Sequence, residues 1–100
     1  MKKVNKYPLK WETKQTIELP IGAQIISCKS KDDETPAIYA VVDPTEDMTQ
    51  PVVIVMLATY AEVDDHDLEH LKFLNTVKLK KKENGVLTTK YMVHVFVGVD

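Results

Sequence analysis

The chain has 100 residues, enough for one domain with a modest core. Its hydrophobic fraction of 44% and charged fraction of 28% are those of a folded protein and exclude intrinsic disorder. The formal net charge of −2 gives no general attraction to nucleic acid or anionic membrane, and all 13 cationic residues are lysine, which removes the arginine fork used in sequence-specific DNA recognition.

Val, Ile and Thr supply 28 residues, a composition that suits pleated, half-buried strands better than helices. A single cysteine, Cys28, allows neither an internal disulfide nor a multi-cysteine metal site. The basic N-terminus lacks the apolar stretch of a signal peptide, and the longest apolar run, Val52 to Ala58, is too short for a membrane helix. The expected location is a reducing cytoplasm.

Taken in chain order, Lys3 to Leu9 reads as a first extended piece. Thr13 to Leu19 alternates and stops at Pro20, and Pro20-Ile21-Gly22 reads as a turn. Ala23 to Ser30 follows, with Ile25 and Ile26 on opposite faces and Cys28 in phase with Ile26. Lys31 to Pro36 is a polar loop, Ala37 to Asp43 a strand, and Pro44 to Pro51 a loop or wide hairpin connection. Val52 to Tyr60 has little alternation, as a central strand covered on both faces would.

Ala61 to Leu71 is acidic and predicts the one short helix, in which Val63, Asp67, Leu68 and Leu71 make one amphipathic turn and Asp64 or Asp65 caps it. Phe73 to Lys81 alternates imperfectly. Asn84-Gly85 predicts a tight hairpin turn, because both residues tolerate positive φ. The last strand, Val86 to Val99, places Tyr91, Val93, Val95 and Val97 on one face and Lys90, Met92, His94 and Phe96 on the other. The fold class is therefore mainly β: residues 1–100 form a single domain, a small antiparallel sandwich or barrel-like sheet of six or seven strands with at most one short helix. Sheets this small leave edges, which copies of the chain can cover by pairing, so a homo-oligomer is expected.

His66-Asp67-Leu68-Glu69-His70 matches H-x-x-E-H, a zinc-hydrolase pattern in which two imidazoles one helical turn apart hold the metal. A short acidic segment in a small β-rich chain reads more readily as a solvated turn, so no metal and no cofactor is expected. A zinc hydrolase stands only as a third reading. Lys78, Lys80, Lys81 and Lys82 beside the Asn-Gly turn read either as a solvated hairpin tip or as a patch that attracts an anion. His94, between Val93 and Val95, is either a satisfied structural histidine or a donor to a ligand. Trp11 and the tyrosines are core or interface residues, or platforms for a base. No nucleophile motif and no glycine-rich phosphate loop occurs, which leads to a non-enzyme.

Several stretches carry a resemblance over most of the chain: Lys6-Tyr7-Pro8-Leu9, Gln15 through Ala23, Tyr39-Ala40-Val41-Val42-Asp43-Pro44 and Val93-His94-Val95-Phe96. They resemble a family of short proteins of unknown function associated with tailed-phage genomes. In that family the resemblance implies a Gly/His-rich turn after the central strand and a Trp before the final His. Here Ala58 to Val63 keeps Thr59 but lacks the Gly and His, and Met92 replaces the Trp. Thr59 and His94 are the positions the resemblance carries over.

Together these readings lead to a non-enzymatic phage accessory protein in the cytoplasm of the infected bacterial host. Its expected role is counter-defence, by sequestering a small anionic, nucleotide-derived signal in an oligomer. The ligand-binding candidates are Thr59, Tyr60, Lys78, Lys80, Lys82, Lys90 and His94. The alternative is a protein-binding module that inhibits or attaches to a host or virion protein through an edge strand. Neither reading involves sequence-specific nucleic acid or a membrane.

Overall fold

A computed structural model describes residues 1–30 and 35–98; for 79–83 and 87–91 it describes the backbone alone. Among these residues the chain forms seven strands and one helix: β1 (Lys3–Pro8), β2 (Lys14–Pro20), β3 (Gln24–Lys29), β4 (Ala37–Val42), β5 (Thr49–Ala58), α1 (Asp65–Glu69), β6 (Leu71–Glu83) and β7 (Val86–Gly98). They make two antiparallel sheets, a three-stranded one in the order β1-β4-β3 and a four-stranded one in the order β2-β5-β7-β6. The sheets do not close into a barrel, so the sandwich is the correct one of the two expected architectures. Most of the polar loop expected over Lys31 to Pro36, and the end of the last strand at Val99, lie outside the described residues.

The inner faces follow the alternation of each strand. Cys28 and Ile38 from the small sheet, with Leu9, meet Ile54, Met56, Val77, Val93 and Val95 from the large one. Tyr7, Ile17, Ile25 and Leu74 close the margins of this cluster. Ile54, Val55 and Met56 are buried in succession. β5 is central, between β2 and β7; Ile54 and Met56 pack on the core, while on its other face Val55 is buried and Val53 and Leu57 are half-buried, as its unbroken apolar run implies.

Two departures from the sequence reading have local causes. β5 begins at Thr49 rather than Val52, because Thr49, Gln50 and Pro51 pair with Pro20, Leu19 and Glu18. Pro51 fits there because β7 joins β5 only from Ile54 onward, leaving one side of the strand without a ladder. Cys28 is fully buried while Ile26 is exposed, so the two are not in phase. The pairing with β4 shifts between Ile25 and Ser27, and such a bulge switches the face of every later side chain. The imperfect alternation of β6 has the same origin. Its register with β7 shifts between Phe73 and Asn75 and again between Leu79 and Lys80.

The β6–β7 hairpin turns at Asn84 and Gly85, whose φ angles of 51° and 79° are those the Asn-Gly pair was expected to supply. Asn75 ties the two sheets together. Its Oδ1 accepts from the Cys28 N–H at 2.8 Å and its Nδ2 donates to the Cys28 carbonyl at 2.7 Å. The side-chain amide thus takes the place of a neighbouring strand's peptide at the edge of β3.

Candidate functional site

Val93, Val95 and Val97 face the core, so Met92, His94 and Phe96 project from the outer face of the large sheet. The β6 bulge brings Phe73 opposite Phe96 and Thr76 opposite His94 on that same face. The Phe73 and Phe96 rings form an edge-to-face pair with centroids 5.6 Å apart. Lys78 follows Thr76 two residues on, opposite Met92, and is exposed.

His94 is half-buried and held at both ring nitrogens. Nε2 lies 3.1 Å from Thr59 Oγ1 and Nδ1 lies 2.9 Å from Thr76 Oγ1. In a neutral imidazole one nitrogen donates and the other accepts. One threonine hydroxyl therefore accepts from the ring, and its own O–H stays free to donate to a group outside. Two of the sequence candidates, Thr59 and His94, are thus brought into contact. Thr76 completes the arrangement and was not among the candidates.

Tyr60 follows directly. It sits in a turn closed by the Ala61 N–H donating to the Ala58 carbonyl at 3.0 Å. Its φ of 73° is in the left-handed region, and its side chain is 98% exposed. That conformation costs an L-residue roughly 1–2 kcal/mol, so a bulky aromatic ring is held in water on a strained backbone.

Lys80, Lys82 and Lys90 have side chains outside the described residues. Their backbones lie in the β6–β7 ladder, where Lys80 pairs with Thr89 and Lys82 with Leu87, and Lys90 falls at the second bulge. Trp11 is exposed and takes no part in the core. Burial pushes the Cys28 thiol up to about 11, so it carries no thiolate at neutral pH.

A second feature occupies the same face nearer β2. The segment that contains α1 arches over Val53, Val55 and Leu57 and encloses a cleft of about 590 Å³. A side chain at Gly98, on the rim of this cleft, would meet Val53 Cβ at 3.0 Å, which keeps that position bare. Asp64 caps α1 as expected, its carboxylate accepting from the His66 N–H at 2.9 Å. Every residue of α1 is solvent-exposed, and of the expected amphipathic turn Val63, Asp67 and Leu68 remain in water while Leu71 is half-buried.

A family model for a domain of unknown function, DUF7352, matches residues 1–100. The chain belongs to the DUF7352 family. No curated protein and no solved structure matches it. For this DUF7352 domain the chemistry is therefore read from its own side chains. Its outer face carries two adjoining features: hydroxyls, an imidazole, an aromatic ring and Lys78, and beside them the cleft under the acidic α1 segment. No helix among the described residues is long and apolar enough to cross a membrane.

Proposed function

We propose that the domain is a non-enzymatic binding protein that sequesters a small anionic, nucleotide-derived ligand beside Thr59, His94 and Thr76, with a second copy completing the enclosure. The carrying observation is the Thr59–His94–Thr76 chain of hydrogen bonds next to the strained, exposed Tyr60. With the ring proton on Nε2, Thr59 Oγ1 accepts from His94 and its own O–H, on the exposed side, donates to a phosphate or ribose oxygen, while the tyrosine ring stacks on a base. Lys78 supplies positive charge on the same face, and Lys80, Lys82 and Lys90 add charge along the hairpin. Asp64 and Asp67, which line the neighbouring cleft, disfavour an anion there. The face is open, whereas small-ligand sites bury about 70–90% of their ligand, so one chain alone leaves the ligand too wet. This is why the reading includes an oligomer.

The likeness to short proteins of tailed phages supports placing this activity in an infected host cell, as removal of a nucleotide immune signal. The second reading, a module that adds its edge strand to a host or virion protein, is favoured by the free edge of β1, where Val4 is exposed.

Calorimetric titration of cyclic dinucleotides and ADP-ribose-type nucleotides into the purified protein tests the assignment. One of them binds, and Thr59→Val and Lys78→Glu each weaken it at least tenfold, as loss of a hydrogen bond to a charged group worth about 1.5–3 kcal/mol requires. Both variants alter exposed positions, so folding is preserved. Undiminished binding by both variants contradicts the site. A stoichiometric host protein recovered on the bait, with no nucleotide bound, selects the edge-strand reading.

A further inference from the structure

The H-x-x-E-H segment has no part in the anion site, whose residues are Thr59, Tyr60, Thr76, Lys78 and His94. Its fold makes it more than a solvated turn. Residues 65–69 are helical, so His66 and His70 stand one turn apart on one side, with ring centroids 5.1 Å apart. Glu69 joins them: one ligand atom from each of His66, Glu69 and His70 lies within 4.8 Å of the others. Two atoms bound to one tetrahedral zinc are about 3.3 Å apart, given zinc–ligand distances near 2.0–2.1 Å. All three side chains are exposed, so small rotations close the remaining gap against no packing.

Helix stability gives an independent reason. A helix this short is unfavourable in water, and helices in proteins gain most of their stability from a buried face. α1 has no buried residue. What holds it is the Asp64 cap at the start and the His70 N–H donating to the Asp67 carbonyl at 3.2 Å at the end. An ion bridging His66 and His70 would clamp that turn directly. The surroundings favour a cation, since Glu62, Asp64 and Asp67 line the cleft against a single lysine, Lys14, and Asp65 and Glu69 stand beside them in the chain. Both imidazoles also line the cleft, which leaves room for water or another donor in the remaining coordination positions.

We infer that His66, Glu69 and His70 form a binding site for a divalent first-row transition ion, of the imidazole-preferring class that includes zinc and nickel. The site departs from the expectation of no metal, and it stands independently of the anion site.

Zinc titrated into the metal-free full chain tests it, followed by proton NMR of the three imidazoles and by calorimetry. One ion binds per chain. The His66 and His70 ring signals shift together while those of His94 do not. His66→Ala and His70→Ala each weaken binding at least tenfold, and Glu69→Gln weakens it less. Helical signal from residues 65–69 increases on binding. The inference is overturned if zinc leaves the His66 and His70 rings unmoved, or if both alanine variants bind it as the parent does.

Discussion

Tyr60 carries two costs at once: a left-handed backbone and a fully hydrated aromatic ring. Glycine removes the first. Tyr60→Gly therefore stabilises the fold by about 1 kcal/mol after allowing for the greater chain entropy of glycine. A thermal melt reads this as an upward shift of roughly 4–8 °C. The same variant loses the stacking platform, so its nucleotide affinity falls while its stability rises. Unchanged affinity in the more stable variant would instead make Tyr60 an ordinary turn residue. At this scale the sequence was partly legible. Thr59 and His94 came from the resemblance, and the fold puts them in hydrogen-bonding contact. Thr76 was not legible, because its place opposite His94 depends on a bulge that simple alternation does not announce.

Among the elements, the strands with clear alternation or a full apolar run were readable, and the bulged ones were not. Asn75 shows why. In sequence it is one polar residue breaking the pattern of β6. In the fold it sits just past the bulge and pairs with both backbone groups of Cys28, joining the two sheets. Asn75→Ala leaves a partly buried N–H and carbonyl without their partner, at roughly 1–3 kcal/mol each where water does not replace it. A loss of about 2–4 kcal/mol in denaturant unfolding is the expected result, with Asn75→Asp less damaging because it keeps the acceptor. A change below 0.5 kcal/mol in the alanine variant would mean that core packing alone joins the sheets. The short helix was legible through its cap, Asp64, and misread in its amphipathic turn. No residue of α1 is buried, so the spacing of Val63 and Leu68 did not translate into burial.

Over the whole molecule, composition and turn signals were enough for a small two-layer β domain, while strand order was hidden in long-range pairing. Its extents of 45 × 35 × 16 Å reflect thin layers and a long hairpin. β5 accompanies β7 only along Val93–Val97, so the outer part of the hairpin continues as two strands alone. A two-stranded ribbon is marginal in water, and this one carries five lysines and one glutamate over residues 78–90. A ligand and a second copy at that end would neutralise the charge and cover the ribbon together. This is the scale at which the central claim stands or falls.

The direct measurement is a thermal melt of the unmodified protein against a panel of cyclic dinucleotides, cyclic trinucleotides and ADP-ribose-type nucleotides. A specific ligand at 100 times its dissociation constant stabilises the fold by about 2.7 kcal/mol. The account predicts an upward shift on the order of 4–8 °C or more with one such nucleotide. A flat response across the panel would contradict it and leave the edge-strand reading in its place.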